Sequence, residues 1–339
     1  MSVLGLDIGG ANLKAADIDG NAWTVSFPLW RGPEQLESRL REIISRFADA
    51  KRIAVTMTAE LTDCFADKVE GVDRILTAVE QASDGRPIVV WQTGAEFLTP
   101  DQARELPYLT AAANWHALAT WAAGTLLPDS TGLLMDIGST TTDLAPLRKG
   151  LPDSVGFTDR ERLISGELVY SGAKRTPLCA IARSVPIGDS YCPLAAEFFA
   201  TTLDVYLLLE DLPEAADQSE TADGRAATRD AAHSRLAHML CCDRHELSRD
   251  EAIQVARFLA DVQRQRITGA VERVLRQMIE PPAAVLISGS GSFLAERIAA
   301  DHPQLRHLPV TRLADCLGSL PSTAACALAV ARLAADRIP

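Results

Sequence analysis

One phrase is written twice in this chain. "LGLDIGGANLKAADI" begins at Leu4 and places an aspartate at Asp7, and "LLMDIGSTTTDLAPL" begins at Leu133 and places one at Asp136, 129 residues later. In each copy an apolar run delivers the aspartate at the end of a predicted strand, and a glycine two residues on lets the backbone turn tightly. Small residues follow: Gly9, Gly10, Ala11 and Asn12 in the first copy, Gly138, Ser139, Thr140 and Thr141 in the second. A turn of this composition can aim successive N–H groups and hydroxyls at one point, which makes an anion-binding concavity. The aspartate beside it repels phosphate but suits Mg²⁺, which takes carboxylate, water and phosphate oxygens together. Lys14 adds the point charge that neutral donors lack. A single copy reads as a strand ending in a hairpin turn. Two copies predict two turns that face each other and hold a di- or triphosphate from both sides.

The rest of the chain alternates strand and helix patterns, the signature of an α/β fold. "SVLGLDI", "LKAADID" and "GNAWTVSFPL" read as strands, the last two joined at the Asp19–Gly20 turn. Leu36, Leu40, Ile43, Ile44 and Phe47 recur at helical spacing. "RIAVTMTAEL" and "RPIVVWQT" are strands around the helix "GVDRILTAVEQAS", and "LTAAANWHALATWAAGTLL" is one Ala-rich buried helix, with Trp115, His116 and Trp121 as core residues. "VGFTDRERLISGELVYSGAKRTPLCAIARSVPI" is punctuated by glycine and predicts strands and turns, and "LPEAADQSETADGRAATRD" predicts a solvated loop. Ser248 and Glu251 form a capping box that opens about 30 residues of helical periodicity. A third Gly-rich turn, "VLISGSGSFLAE", lies between a strand and a helix, where backbone can approach a ligand closely.

At 339 residues two domains are expected. The repeat divides the chain into 1–128 and 129–339, the second with a helical and loop insertion around 190–265 and a C-terminal helix at 321–336 that packs back on the first. The net charge of −12 and the lack of a basic stripe argue against a nucleic-acid partner. No run of about 18 apolar residues predicts a membrane span, and the start of the chain does not resemble a signal peptide. A cytoplasmic protein acting on small molecules is expected, with a homodimer left open. The seven cysteines show no CxxC spacing and read as buried reduced thiols, not as disulfides or a zinc site.

With these residues in place, the chain resembles the actin, hexokinase and heat-shock-ATPase superfamily, a duplicated ribonuclease-H-like fold with a ligand cleft between its halves. "DIGGANLK" and "DIGSTTTD" resemble its two phosphate loops, and "SGSGS", with Ser288, Gly289 and Gly291, resembles its adenosine-contact turn. The resemblance explains the repeated phrase as a duplicated domain. "VTMTAEL" (55–61), "NWHA" (114–117) and "RLISGELVYSGAKRTPLCAIA" (162–182) narrow it to the hydantoinase/oxoprolinase-like branch, and within that to a shorter family linked to tetrahydromethanopterin-dependent one-carbon transfer. That resemblance implies a step of methanofuran or methylofuran biosynthesis, in which (5-(aminomethyl)furan-3-yl)methyl diphosphate alkylates the phenol oxygen of a tyramine or tyrosine, glutamylated or not, and pyrophosphate leaves.

The implied roles follow the motifs. Asp7 and Asp136 would position Mg²⁺ or Mn²⁺, and Gly9, Gly10, Asn12, Lys14, Gly138, Ser139, Thr140 and Thr141 would contact the diphosphate. ATP in the same loops is left open. Glu60 and Glu167 are candidate bases for the phenol, with Asp143 and Asp159 behind them, and each is also explicable as a structural carboxylate. Thr58, Asn114, Arg162, Tyr170, Arg175 and Thr176 are candidates for the second substrate, or for anchoring loops. The rival readings are a small-molecule kinase with Asp143 or Asp159 as base, an oxoprolinase-like ATP-dependent amidohydrolase, and a non-catalytic actin-like nucleotide switch.

Overall fold

A computed structural model describes residues 2–338, without the side chains of Ser319 and Leu320. It contains two sheets of the same design. The first is built from β1 (Val3–Ile8), β2 (Asn12–Asp17), β3 (Ala22–Ser26), β4 (Arg52–Met57), β5 (Ile88–Trp91) and β6 (Phe97–Leu98), in the order β3-β2-β1-β4-β5-β6. β1 pairs antiparallel with β2 and parallel with β4. The second contains β7 (Thr131–Ile137), β8 (Thr142–Arg148), the short β9 (Leu151–Pro152) and β10 (Leu168–Val169). After a two-stranded ribbon, β11 (Ser184–Ile187) and β12 (Ser190–Pro193), it is completed by β13 (Ala284–Ser288) and β14 (Val310–Arg312). Its order is β10-β8-β7-β13-β14, with β7 antiparallel to β8 and parallel to β13. Both are ribonuclease-H-like sheets, and the chain has the duplicated actin/hexokinase-like α/β fold.

The parallel strands are apolar on both faces because both faces are covered. Leu4, Leu6 and Ile8 of β1 pack with the helices Leu36–Ser45 and Lys68–Ala82. On the far side, Leu133, Met135 and Ile137 of β7 pack with the helices of the later insertion. Between the sheets lie two Ala-rich helices, Asn114–Leu126 and Ala325–Arg337, in one core with residues of both sheets such as Val3, Ala54, Leu134 and Leu286. Small side chains let this layer pack closely: a Cβ on Gly5 would collide with the carbonyl of Ala327.

Several elements differ from the sequence reading. The Ala-rich helix is interrupted: a short turn of helix, Pro107–Thr110, precedes the break, and the long helix starts at Asn114. The segment read as strands and turns contains a helix, Asp159–Ser165, opened by a capping box of Thr158 and Glu161. The polar stretch near 220 runs into the helix Arg229–Met239. Arg235 of that helix is fully buried and ion-paired with Asp204 at 2.7 Å and Asp223 at 3.1 Å, so part of the predicted solvated loop is tied to the core. The cysteines are all free, but Cys326 alone is buried, and Cys241 and Cys316 are exposed. The capping box at Ser248 opens the 29-residue helix Arg249–Gln277.

Candidate functional site

The two repeated turns have the same backbone construction. In the first, the Gly9 N–H donates to the Asn12 carbonyl at 3.0 Å, and in the second the Gly138 N–H donates to the Thr141 carbonyl at 2.9 Å. The strand registers match as well: Asp7 lies opposite Lys14 on β2 and Thr56 on β4, while Asp136 lies opposite Asp143 on β8 and Ser288 on β13.

Asp7 is buried. One oxygen lies 3.5 Å from the Lys14 ammonium and the other, Oδ1, has no hydrogen-bond partner. Burial pushes the Asp7 carboxyl above its ordinary pKa although Lys14 pulls it down. Burial also works against the Lys14 ammonium, yet Asp7 and Asp136 hold its pKa above the ordinary value. Lys14 thus feels a carboxylate from each half of the molecule. Burial, with the neighbouring Asp143 next, raises Asp136 to about 6, against the pull of Lys14 and a hydrogen bond from Ser288. Cys326, on the C-terminal helix, is close enough to Asp7 and Asp136 that their charges add to burial in keeping its thiol protonated.

Each turn is backed by a further segment. Behind the first, the Thr58 N–H donates to the Ile8 carbonyl and the Leu29 N–H to the Gly10 carbonyl, both at 2.9 Å. A Cβ on Gly10 would stand 3.0 Å from the Thr62 hydroxyl. Over the second turn lies Gly172–Arg175. Ala173 donates to the Gly138 carbonyl, and Lys174 and Arg175 both donate to the Ser139 carbonyl, at 2.9–3.0 Å. Gly172 is pressed so closely that a Cβ would sit 2.6 Å from Ser139 C and Thr140 N. The third Gly-rich turn also joins this side: the Gly291 N–H donates to Ile137 O at 2.8 Å, and a Cβ on Gly289 would lie 2.6 Å from Asp136 Oδ1. Ser288, Gly289 and Gly291 are therefore built into the second turn.

The candidate bases separate clearly. Glu60 follows β4 and is buried, with Oε2 lacking any partner. Burial raises its pKa from 4.5 to about 7, partly offset by backbone N–H groups and by Lys68. Lys68 lies 4.0 Å from Asp159 of the other half, so Glu60, Lys68 and Asp159 form a charged group across the two halves. Glu167 is a correction. It is fully buried, and its carboxylate accepts from the N–H groups of Val155 and Gly156 at 2.7 and 2.9 Å and from Ser165 at 3.0 Å. With those oxygens occupied it organises a loop and is not placed to take a proton from a substrate. Asp143 is likewise held, by Arg162 at 2.8 Å.

Two second-substrate candidates, Arg162 and Thr176, hold loops in place. Arg162 is only 1% exposed; it grips Asp143 and the Glu167 carbonyl and stacks 3.7 Å from the Trp115 ring centroid. The Thr176 hydroxyl is buried and accepts from the Gly172 N–H at 2.9 Å, which fixes the covering turn. Tyr170 is 68% exposed and makes no hydrogen bond to the site among the described residues. Asn114 starts the central helix, its side-chain oxygen accepting from the Trp115 N–H at 2.7 Å. His116 sits among Trp91 and Trp115, and burial lowers its pKa to about 4, so it is a neutral core histidine.

The sequence reading missed Gln263. This buried amide on the long helix accepts from the Tyr206 hydroxyl at 2.7 Å and donates to Ser171 Oγ and the Gly172 carbonyl, both at 2.9 Å. It ties the insertion to the segment that covers the second turn. Its signal was a polar residue inside the apolar stripe of Val255, Leu259, Ile267 and Ala270. Lys68, Lys174, Trp30 and Cys326 carried no comparable signal.

The profile of the hydantoinase/oxoprolinase family (Hydantoinase_A) matches residues 52–337. The chain belongs to the hydantoinase/oxoprolinase family. The match covers the second turn, the third turn and the Gly172–Arg175 cover. The chain is 35% identical over 260 residues to a "(4-{4-[2-(gamma-L-glutamylamino)ethyl]phenoxymethyl}furan-2-yl)methanamine synthase" of Methanocaldococcus jannaschii, covering 76% of this chain and 77% of that one. A protein of the same name from Methanococcus vannielii is 37% identical over 128 residues, covering 38% of this chain and 57% of that one. Among solved structures, a ROK hexokinase from Thermus thermophilus is similar with a TM-score of 0.45 and 17% identity, over 97% of this chain and 98% of that one. Among the described residues, no helix is long and apolar enough to cross a membrane.

Proposed function

We propose that this hydantoinase/oxoprolinase-family protein is an ether-forming transferase of methanofuran or methylofuran biosynthesis. It couples (5-(aminomethyl)furan-3-yl)methyl diphosphate to the phenol oxygen of a tyramine-type acceptor, with release of pyrophosphate. The observation that carries the reading is the pair of matched turns whose aspartates, one from each half, share the field of Lys14. The 35% identity to a synthase whose name describes a phenoxymethylfuran supplies the cargo.

The donor set fits a divalent cation. Asp7 Oδ1 is a buried hard oxygen without a partner, and Asp136 is a carboxylate held near Asp143. Among the described residues no cluster of three or more His, Cys, Asp or Glu could hold a metal. Mg²⁺ is suited to such a place, because it commonly takes one or two carboxylates and completes its shell with water and substrate phosphate. Asp7 and Asp136 would hold Mg²⁺ or Mn²⁺, which neutralises charge on the leaving diphosphate. The N–H groups of the two turns and the Lys14 ammonium would orient the diphosphate and stabilise the negative charge it gains.

In the reaction the bond from the furan methylene carbon to the diphosphate oxygen breaks, and a bond from that carbon to the phenol oxygen forms. The phenol has an ordinary pKa of about 10, so its proton needs an acceptor as the new bond develops. Glu60 fits that role, because its unpartnered oxygen and a pKa of about 7 balance availability against basicity near neutral pH. Of the two candidate bases of the kinase alternative, Asp143 is held by Arg162 at 2.8 Å and Asp159 stands 4.0 Å from Lys68. The test is to incubate the purified protein with Mg²⁺, the synthetic furan diphosphate and tyramine or γ-glutamyl-tyramine. The ether and pyrophosphate should appear in equal amounts, without ATP. A requirement for ATP, or no ether from either acceptor, would contradict the proposal.

A further inference from the structure

Trp30 and Arg175 lie far apart in sequence and on opposite sides of the site. Trp30 follows Leu29, whose N–H is bonded to Gly10 of the first turn, and Arg175 donates its own N–H to Ser139 of the second. Their side chains meet, with the guanidinium carbon 5.1 Å from the centroid of the indole ring. This contact therefore links the segment backing one turn to the segment covering the other. It is also accessible: Trp30 is 38% exposed and Arg175 is partly so.

A guanidinium held over an aromatic ring by its charge does not spend its N–H donors on that contact. Its five N–H donors point outward in the plane of the group, in a fork that matches the two oxygens of a carboxylate or phosphate. Among the described residues no hydrogen bond or ion pair occupies the guanidinium donors of Arg175. Arg104, Arg148, Arg162 and Arg235 each have a carboxylate partner. Arg332 lies over the Trp121 ring without a carboxylate, as Arg175 does over Trp30, but donates from its guanidinium to the Ile18 carbonyl. Lys174, next to Arg175 and bonded through its N–H to the same carbonyl, likewise has no carboxylate against it among the described residues. Among the described residues neither cation has a carboxylate against it, so both are open to an anionic ligand at this place beside the second turn.

We propose that Arg175, oriented by Trp30, is an oxyanion clamp that spans the two turns and binds a phosphate or carboxylate group of a substrate. It rests on the function proposed above for the identity of that substrate. The anion has two sources there: the diphosphate itself, or the free carboxylate of a glutamylated phenol acceptor.

The experiment compares wild type with Arg175→Met, Arg175→Lys and Trp30→Leu, each checked for folding by circular dichroism and thermal midpoint. Calorimetry measures Mg²⁺–pyrophosphate binding, and steady-state kinetics measure KM for γ-glutamyl-tyramine and for tyramine. Arg175→Met should weaken recognition of one anion by about 10- to 100-fold, the range for a lost charge-assisted bidentate contact. Arg175→Lys should recover part of that at most, since lysine has the charge without the fork, and Trp30→Leu should give a smaller loss in the same quantity. A loss in pyrophosphate affinity assigns the clamp to the diphosphate. A rise in KM that is much larger for the glutamylated acceptor than for tyramine assigns it to the acceptor carboxylate. Folded Arg175→Met with pyrophosphate affinity and both KM values unchanged would overturn the clamp. A wild type that binds pyrophosphate but makes no ether would instead overturn the proposed reaction, and the calorimetric comparison would still test the clamp.

Discussion

The two turns share a backbone and differ in charge. In the first, Asp7 faces Lys14 across the hairpin, and in the second the matching pair is Asp136 and Asp143. The parallel neighbours differ too: the Thr56 hydroxyl beside Asp7 has no partner, whereas Ser288 hydrogen-bonds Asp136. The second pair would carry two facing carboxylates, and Arg162 compensates by taking Asp143 from a buried position. Duplication supplied the geometry, and divergence at a few side chains assigned the tasks. The first turn sets a cation beside its aspartate and the second sets another carboxylate, and in the function proposed above Lys14 would meet the diphosphate while Asp7 and Asp136 would meet the metal.

Four experiments press on that division, beginning with the largest effect. Asp7→Ala and Asp136→Ala should each abolish Mg²⁺-dependent pyrophosphate binding and lower coupling by at least about 10²–10³-fold, the scale for losing a preorganised electrostatic partner. Both proteins should remain folded by circular dichroism. Unchanged affinity in both would remove the metal assignment.

Glu60→Gln tests whether proton transfer is separate from the turns. Pyrophosphate affinity should stay near wild type while coupling falls on the order of 10²-fold. In wild type the rate should rise with pH through about 7, as Glu60 loses its proton, and the substitution should remove that limb. The same shift affects stability. The folded-state pKa is raised from 4.5 to about 7, so the folded protein holds this proton longer than the unfolded chain does. Its contribution is fully present below about 4.5 and is lost as pH rises through 7, and Glu60→Gln should flatten the thermal midpoint across that window. Because His116 and Asp136 also titrate in that window, the difference from Glu60→Gln is the reading, and equal pH slopes in the two proteins would contradict the burial of this group.

Lys14→Met should weaken pyrophosphate binding by about 10- to 100-fold, as expected for one charged hydrogen bond. An equal loss of metal binding without phosphate present would show that the two turns do not divide their tasks as described. The smallest effect is expected for Gln263→Leu. It leaves the Tyr206 hydroxyl and Gly172 carbonyl without this partner, costing about 1–3 kcal/mol of stability. Pyrophosphate affinity should fall several-fold as the Gly172 cover loosens over Ser139. A stability loss with no change in affinity would confine Gln263 to the insertion.

The turns were legible because their chemistry is written in local backbone code: an aspartate, a glycine and small residues at the end of a strand. The duplicated design of the two sheets followed from the same repetition, although their strand order did not. Other roles depended on contacts far away in sequence. Glu60 and Glu167 are both glutamates in Gly- or Thr-rich segments, and only the fold leaves one with a free oxygen and surrounds the other with N–H donors. Arg162 looked like a substrate ligand because nothing local reveals that Trp115 and Asp143 enclose it. The helix Asp159–Ser165 is different, since its Thr158–Glu161 capping box is visible in the sequence but was not used in reading the Gly-punctuated segment around it. Gln263 was similarly visible as the polar break in an apolar stripe.

The central claim is that two turns, one from each half, hold a single diphosphate. Calorimetry of the wild-type protein with Mg²⁺ and pyrophosphate, set against Mg²⁺ and ATP, tests it most directly. The account predicts one pyrophosphate per chain, bound only with the metal, and no heat from ATP. Tight ATP binding with pyrophosphate silent would contradict it and return the same turns to a kinase or an ATPase.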